Sequence, residues 1–558
     1  MKFLVTVFLL TFYATTFAQQ HSQNDSIYII KDSVLIPTNS GIDISAIIVR
    51  KKTNTSPLPA ILFYTTYHQG SGDAIFGKRS ADRDYVGIVA YARGIRTDIN
   101  NYKPYENEAT DIYDIIDWIS KQSWCNGSIG MFGGSYTGFA QWATAKNVHP
   151  ALKTIVPQVA VMPGYDTPME NNVQMYLGLY WPHDNVYKKE PLRRSLPFEW
   201  FEDGIAFKEI DSLAGYKNDI FQNWLQHPGY DNYWQSLVPT PEEFARINIP
   251  VLSTTGYYDG SQIGAMQYFK LHNKYNKNAN HYFVIGPYDH WGGQRRPAKN
   301  LMGYEIDSVA NVSMMGLAYE WLDFILKGKS KPELLKGKVN YQVMGTNEWR
   351  HSPSLHEINN DTLTFYLDKK TLSAQIPKVS KFENQIVDFK DRETQNNYYT
   401  PEITFDTLEV SNGLFFSTEP FQKEFNINGS FTGNLWATIN KKDMDVSLAL
   451  YELMPDGRYF FLTRYIGRAS FAKDNSKRQL LQPNKKENIS FDNTRFVSKK
   501  INKGSRLVVL LNINKHPFEI INYGSGKPVS EETMQDAGEP LQIKWHNDSY
   551  VKIPVWKN

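Results

Sequence analysis

A serine flanked by glycines is the residue of this chain whose surroundings most favour covalent chemistry. Residues 133–138 read Gly-Gly-Ser-Tyr-Thr-Gly and lie between a predicted strand, 129–132, and a predicted helix, 139–146. A serine on such a turn is held out of the sheet, while its small neighbours let strand and helix approach each other. The N-terminus of the helix also favours negative charge that develops nearby. This context predicts that Ser135 is a nucleophile.

Two residues in later loops, Asp259 and His290, are candidates for the acid and base that a serine nucleophile requires. Asp259 follows the predicted strand 249–255 and His290 follows the next one, 282–285, which gives the order serine, acid, histidine that accompanies this type of turn. Taken alone, Asp259 also fits an ordinary turn and His290 a surface loop, and Asp289 is an alternative acid. Because sheets of parallel strands bind their ligands at the carboxyl ends of the strands, we expect the loops that carry Ser135, Asp259 and His290 to converge.

The elements that would position these residues form an interrupted alternation of strands and helices. Over residues 27–160, apolar runs such as 60–65 and 85–92 alternate with helical patterns such as 107–121, which predicts βαβ units and a mostly parallel sheet. The alternation returns over residues 246–330. We therefore expect one α/β core built from both parts of the chain.

Two other regions depart from this pattern. Residues 161–245 contain aromatic-rich, loop-broken helices, which predicts a helical cap inserted into the core and aromatic side chains lining a pocket. Residues 331–558 contain short strands separated by turn residues, and the run 339–344 is the first of them. This pattern predicts a C-terminal, jelly-roll-like β-sandwich.

Composition excludes several classes of protein. The 558 residues exceed what one hydrophobic core supports, and a mean hydropathy of −0.47 excludes a polytopic membrane protein. The 60 basic and 58 acidic residues give a net charge of +2, too balanced to direct the chain broadly onto nucleic acid or anionic lipid. Cys125 is the single cysteine, so no intramolecular disulfide can form.

The N-terminus has the features of a secretory signal. Lys2 precedes an apolar run that ends at Phe17, and a small residue, Ala18, follows it. The run is too short to span a bilayer, and we expect residues 1–18 to be a cleaved signal peptide. The protein is therefore expected to be exported, either to the periplasm or out of the cell.

Several stretches along the chain match the pattern of a single enzyme family. They are residues 91–94, 111–119, 122–124, 126–127, 133–138, 227–228, 230–231, 233–234, 256–260, 285–290, 321–323, 327–328, 344–345, 349–350 and 365–367. In these stretches the chain resembles the CocE/NonD serine hydrolases, which group cocaine esterase, α-amino-acid ester hydrolases, glutaryl-cephalosporin acylases and X-Pro dipeptidyl peptidases. The family turn is Gly-x-Ser-Tyr-x-Gly, as in residues 133–138. The resemblance extends from about residue 30 to the C-terminus.

The resemblance implies a fold, a reaction and a set of site residues. It implies an α/β-hydrolase core in which Ser135 is the nucleophile, His290 the general base and Asp259 the orienting acid. It also implies an oxyanion hole made by the Tyr67 hydroxyl and the backbone N–H of Tyr136, since a phenol donates without carrying charge. The expected function is hydrolysis of ester or amide bonds, of acyl or X-Pro dipeptidyl type, through an acyl-enzyme.

The sequence departs from one branch of that family just after the acid. Members that prefer α-amino acyl groups place acidic residues there, whereas residues 260–262 read Gly-Ser-Gln, so recognition of an α-amino group stays open. Asp166 and Glu170, early in the cap, are alternative carboxylates, although a solvated loop is the expected environment of both. A solvated turn is also expected for Asp443 and Asp445 rather than a calcium site.

No other motif points to a cofactor or a different partner. Residues 524–527 resemble the end of a phosphate loop, but Pro528 stands where Ser or Thr is needed, and no sequence cluster indicates a catalytic metal. The expected partner is a small ester or short peptide substrate, with no cofactor, no nucleic acid and no membrane span. Natural substrate and homo-oligomer formation stay open. The alternative hypothesis is a surface glycan- or peptide-binding protein with a catalytically silent core.

Overall fold

The computed structural model describes residues 25–187, 190–396 and 402–557, so the predicted signal peptide, residues 1–18, lies outside the described residues. The first part of the chain forms β1 (Tyr28–Ile36), β2 (Ile44–Lys51), β3 (Leu58–Thr65), α1 (Ala74–Ala81), β4 (Val86–Tyr91), α2 (Glu108–Ser120), β5 (Cys125–Gly134), α3 (Tyr136–Thr144) and β6 (Leu152–Gln158). β4 is buried along its whole length, as expected of a strand covered on both faces. α2 buries its isoleucines against the sheet because they recur at helical spacing.

The inserted region follows β6 and is mainly helical. It contains β7 (Met169–Glu170), β8 (Val173–Gln174), α4 (Leu177–Pro182), α5 (Leu196–Asp203), α6 (Ile210–Leu213), α7 (Asp219–Leu225), α8 (Asn232–Leu237) and α9 (Pro241–Arg246). Trp200, Trp224 and Trp234 are buried within it. The aromatic side chains predicted for this region therefore include the ones that build its interior.

The alternation of strands and helices then resumes. The elements are β9 (Val251–Gly256), α10 (Gln262–Tyr275), β10 (His281–Gly286), β11 (Asn300–Leu301), β12 (Tyr304–Glu305), α11 (Met314–Lys327), β13 (Val339–Val343) and β14 (Glu348–Ser352). Within the described residues the main sheet has the order β1-β2-β4-β3-β5-β6-β9-β10-β13-β14. Neighbours from β4 to β13 pair in parallel. The carboxyl ends of β3, β5, β9 and β10 therefore lie along one edge.

The main sheet extends further along the chain than the sequence analysis assigned it. Residues 339–344 were expected in the C-terminal sandwich, but β13 pairs in parallel with β10, Phe283 opposite Val339 and Ile285 opposite Tyr341. β14 then pairs with β13 antiparallel. The expectation that the core ends at residue 330 is therefore wrong. A short apolar run predicts a strand but not the sheet that it joins.

The C-terminal region is rich in β-strands, as predicted. Its strands are β15 (Asp361–Asp368), β16 (Thr371–Ser373), β17 (Phe382–Val387), β18 (Thr404–Phe405), β19 (Leu414–Ser417), β20 (Phe425–Ser430), β21 (Thr432–Ile439), β22 (Asp445–Leu453), β23 (Tyr459–Arg468), β24 (Lys486–Phe491), β25 (Phe496–Ile501), β26 (Arg506–Ile513), β27 (Leu541–His546) and β28 (Tyr550–Trp556). Most pairs are antiparallel and join strands distant in sequence, such as β15 with β28. Among the described helices of the whole chain, none is both long and apolar enough to cross a bilayer.

Two buried aspartates of this region correct the expectation of a solvated turn. Arg468 donates to both oxygens of Asp445 at 2.9 Å, and Arg478 donates to Asp443 at 2.9 Å. Both aspartates are buried, with 1% of each residue exposed. Their arginine partners lie far along the chain, so local sequence alone could not reveal the pairing.

Candidate active site

Ser135 occupies a sharp turn between β5 and α3. Its φ of 63° and ψ of −124° are rare for a residue with a side chain, and such strain occurs mainly at functional sites. The Ser135 N–H donates to the Gln158 carbonyl at 3.0 Å, and the Ser135 carbonyl accepts the Gly138 N–H at 3.0 Å. A Cβ at Gly138 would lie 2.9 Å from the Gln158 carbonyl oxygen of β6, so strand and helix approach too closely there for any larger residue. The turn thus has the form predicted from the sequence.

Asp259 and His290 form a hydrogen-bonded pair. The Nδ1–H of His290 donates to Oδ1 of Asp259 at 2.7 Å; the aspartate side chain is 0% exposed and the histidine side chain 30%. Asp259 also accepts the Thr255 hydroxyl at 2.6 Å and the Ser261 N–H at 2.9 Å. Burial acts to raise the pKa of Asp259, but the charge of His290 and these hydrogen bonds together lower it. The carboxylate is therefore kept ionised beside the imidazole.

Gln294 links the His290 loop to the serine turn. Its side-chain N–H donates to the His290 carbonyl at 2.9 Å, and a Cβ built on Gly134 would lie 2.3 Å from its Oε1. The loop after β10 therefore packs directly on the residue that precedes Ser135. Gln294 could not be predicted from the sequence, since nothing near it indicates a contact with a turn so far away in the chain.

Tyr67 and Tyr136 lie beside the serine. Burial raises the pKa of Tyr67, and hydrogen bonds to Trp181, the Ser135 side chain and the Tyr136 backbone N–H act against that shift. The Tyr67 hydroxyl thus faces both the serine side chain and the Tyr136 N–H. The raised pKa keeps the Tyr67 hydroxyl protonated and able to donate.

Trp181 brings the helical insertion over this cluster. Its indole N–H donates to the Tyr67 hydroxyl at 3.3 Å. Its ring stacks on Tyr136 at 5.7 Å between centroids and on Tyr105 at 5.9 Å. These rings form an apolar wall next to the serine, which suits the acyl part of a substrate.

A buried acid lies behind Tyr136. Glu108, the first residue of α2, accepts a hydrogen bond from the Tyr136 hydroxyl and another from the Asn107 N–H at 3.1 Å. Burial raises the pKa of Glu108 to about 7. This role of Glu108 could not be predicted from the sequence, because a glutamate at a helix N-terminus is usually an exposed one.

Asp166 and Glu170 are buried, contrary to the solvated loop expected for them. Asp166 accepts the N–H groups of Met162 and Gly264, both at 2.8 Å, and burial raises its pKa well above the ordinary value. Glu170 accepts a hydrogen bond from Arg495 at 2.5 Å. Although burial acts to raise the pKa of Glu170, the charges of its arginine neighbours lower it. Both carboxylates thus have partners within the protein, although Glu170 Oε1 accepts no hydrogen bond from the described residues.

The described residues include no group of three or more His, Cys, Asp or Glu side chains arranged to hold a metal ion. The chemistry available at the site is that of a serine, an imidazole paired with a carboxylate, and donors for an oxyanion.

Two family models match most of the chain. A model described as X-Pro dipeptidyl-peptidase (S15 family) matches residues 40–292, and one described as the X-Pro dipeptidyl-peptidase C-terminal non-catalytic domain matches residues 335–534. The first match contains Ser135, Asp259 and His290. Among curated proteins, cocaine esterase of Rhodococcus sp. (strain MB1 Bresler) is 23% identical over 96% of this chain and 100% of its own length.

Solved structures share the fold over nearly the whole chain. An aminopeptidase from the marine sediment archaeon Thaumarchaeota archaeon has a TM-score of 0.81 at 19% identity, covering 95% of this chain and 97% of its own. An α-amino acid ester hydrolase has a TM-score of 0.80 at 21% identity, covering 97% of this chain and 99% of its own. The predicted fold class, an α/β-hydrolase core with a β-rich C-terminal region, is confirmed.

Proposed function

Because the chain belongs to the S15 family of serine hydrolases, we propose that it cleaves acyl esters or X-Pro dipeptidyl amides with a triad of Ser135, His290 and Asp259. The family predicted from the sequence is confirmed, and so is the enzyme class. The observation that carries the triad is the 2.7 Å pair of His290 and Asp259 on the sheet edge that also holds the strained serine. The His290–Asp259 pair and the strained serine on the same sheet edge support an enzyme over the binding-protein alternative.

The proposed reaction begins at the serine. His290 Nε2 takes the proton of the Ser135 hydroxyl as the serine oxygen attacks the substrate carbonyl, and Asp259 stabilises the imidazolium that forms. The imidazolium then gives that proton to the leaving alcohol or amine, and the acyl group remains on the serine. Water attacks this acyl-enzyme with His290 again as base, which releases the acid and restores the serine hydroxyl.

The negative charge on the carbonyl oxygen is the second requirement of the mechanism. In the proposal the Tyr67 hydroxyl and the Tyr136 N–H donate to it in both tetrahedral intermediates. Such donors contribute because they are already oriented before the charge develops. The hydrogen bond from Trp181 to Tyr67 supports this orientation, since the phenol oxygen accepts there and its own O–H stays available to donate.

The same proposal includes export, with residues 1–18 removed as a signal peptide. Lys2 and the apolar run after it support this location. N-terminal sequencing of the protein recovered from the periplasm or medium tests it. A mature chain beginning near Gln19 is expected, and a chain that retains Met1 in the cytoplasm would contradict it.

Labelling with a fluorophosphonate tests the triad. Intact mass and peptide mapping should show a single adduct on Ser135, and Ser135→Ala should give none while hydrolysis falls by several orders of magnitude. p-Nitrophenyl acetate and Gly-Pro-p-nitroanilide, assayed side by side, decide between ester and X-Pro amide. A folded wild-type protein that binds glycan or peptide but takes no label would instead support the binding-protein alternative.

A further inference from the structure

We infer that Arg495, from the β-rich C-terminal region, is a positioning residue that fixes the loop of the acid Asp259 for catalysis. The inference rests on the proposed function, because it assigns the arginine a role through that triad. Arg495 directly precedes β25 and lies more than two hundred residues beyond the loop that it contacts.

The guanidinium of Arg495 bonds to the backbone of the acid loop. Its Nη1 donates to the Asp259 carbonyl at 2.6 Å and to the Gly260 carbonyl at 3.2 Å, and its Nη2 donates to Gly260 at 3.3 Å. The planar fork of arginine suits this arrangement, since it reaches two neighbouring carbonyls at once. Arg495 thereby leaves the Asp259 carboxylate to His290, Thr255 and Ser261.

Gly260, the residue after the acid, is exposed and has little packing of its own. A Cβ built on Gly260 would meet no atom within 4 Å. The Asp259 carbonyl receives a further hydrogen bond from the Gln262 N–H, at 3.2 Å, where α10 begins. The hydrogen bonds that the Asp259 and Gly260 carbonyls receive from outside the loop therefore come from the arginine.

A second contact strengthens the connection, one residue beyond Arg495 and two residues beyond Gly260. Gln262 Nε2 donates to the Phe496 carbonyl at 2.9 Å, and the Phe496 N–H donates to Gln262 Oε1 at 2.6 Å. This reciprocal pair sets the distance between the start of α10 and the start of β25. Arg495 therefore approaches the acid loop from a fixed base rather than from a mobile surface.

The charge of Arg495 is balanced by Glu170. The two groups lie 2.5 Å apart, and their side chains are 8% and 2% exposed. A buried cation is costly unless it is paired, and Glu170 supplies that pairing beside the loop carbonyls. The ion pair also ties the acid loop to β7, where the chain enters the helical insertion.

Kinetics of Arg495→Met and Arg495→Lys give the first test. Because misplacement by about 1 Å can cost a hundredfold in rate, we expect kcat for p-nitrophenyl acetate to fall by about 100-fold in Arg495→Met with KM little changed. Lys keeps the charge but reaches fewer carbonyls, so Arg495→Lys should recover part of the loss. Arg468→Met is the matched control: it removes an equally buried guanidinium of the same region, one that bonds to Asp445.

A double-mutant cycle distinguishes positioning from general destabilisation. If Arg495 acts through the acid, adding Arg495→Met to Asp259→Asn should lower kcat by less than about threefold further, because the two effects are not independent. A purely structural effect would instead be additive. All variants are to be compared well below their unfolding temperatures.

Proton NMR supplies a readout that does not need turnover. The strongly downfield proton of the His290 to Asp259 hydrogen bond should shift or vanish in Arg495→Met and persist in Arg468→Met. Wild-type protein that takes no label on Ser135 would refute the proposed function, yet this resonance would still test the arginine. Retention of both the resonance and the wild-type kcat in Arg495→Met would overturn the inference.

Discussion

The Tyr136 hydroxyl donates to the buried carboxylate of Glu108, so an ionisable acid supports the residue whose N–H belongs to the proposed oxyanion hole. Burial raises the pKa of Glu108 from 4.5 to about 7. In this range the folded protein holds a proton that the unfolded chain has already released. Raising the pH therefore lowers the stability of the folded state.

Glu108→Gln should remove that pH dependence. As the pH rises from 4.5 towards 7, the free energy of unfolding of the variant should increase relative to that of wild type, by at most about 3 kcal/mol. Above pH 7 the difference between the two proteins should stay constant. Urea unfolding at a series of pH values measures this difference. A difference in unfolding free energy between the two proteins that is the same at every pH would contradict the prediction.

A buried pair of histidines predicts the opposite trend at acid pH. His272 Nε2 donates to the Ile247 carbonyl at 3.0 Å, so its Nδ1 accepts from His281 Nδ1 at 3.3 Å, and His281 Nε2 accepts from Ser253 at 2.8 Å. This chain of hydrogen bonds requires both rings to be neutral. Burial lowers the pKa of both imidazoles, and their proximity lowers that of His281 further.

The contribution of this pair to stability should therefore fall as the pH drops below 6.5, because the unfolded chain then binds protons that the folded rings reject. His281→Gln should weaken this dependence. His356→Gln, a change at an exposed histidine, is the control and should leave it intact. A dependence of equal steepness in all three proteins, measured by thermal unfolding between pH 5 and pH 7.5, would rule out the pair as its source.

Tyr67→Phe tests the oxyanion hole. Loss of the hydroxyl should lower kcat by about 100- to 1,000-fold with little change in KM, as for other single oxyanion donors. Tyr85→Phe serves as control, since that hydroxyl donates to Asp323 at 2.6 Å from the opposite edge of the sheet. Steady-state kinetics with p-nitrophenyl acetate measure both, and equal activity of Tyr67→Phe and wild type would exclude Tyr67 from the hole.

An α-amino group on the acyl part should contribute little. Asp166 and Glu170 are engaged with backbone amides and arginine, and residues 260–262 supply no acid after Asp259. Methyl esters of phenylglycine and phenylacetic acid should therefore have kcat/KM values within about tenfold of each other. A preference of more than about 100-fold for phenylglycine would show that another carboxylate binds the ammonium group.

The sequence revealed those parts of the site that follow apolar strands. Asp259 and His290 could be predicted as candidates because each follows an apolar run of sequence that forms a strand. Ser135 could be predicted because the glycines that shape its turn are its neighbours in the sequence. Asp166 and Glu170 were misjudged since their partners, the Gly264 N–H and Arg495, are distant in the chain. The pairing of β13 was missed for the same reason.

The crossing of β13 and β14 into the main sheet bears on how such proteins can be recombined. The match to the C-terminal domain starts at residue 335, yet that region completes the sheet beside β10 and supplies Arg495 to the acid loop. The Met344 N–H also donates to the Ser498 carbonyl at 3.1 Å, so a backbone hydrogen bond connects the end of β13 in the main sheet to β25 in the C-terminal region. The α/β core and the C-terminal region are thus not independent domains that can be exchanged between proteins. A transplanted C-terminal region would have to bring an edge strand that fits β10 and an arginine of the right reach.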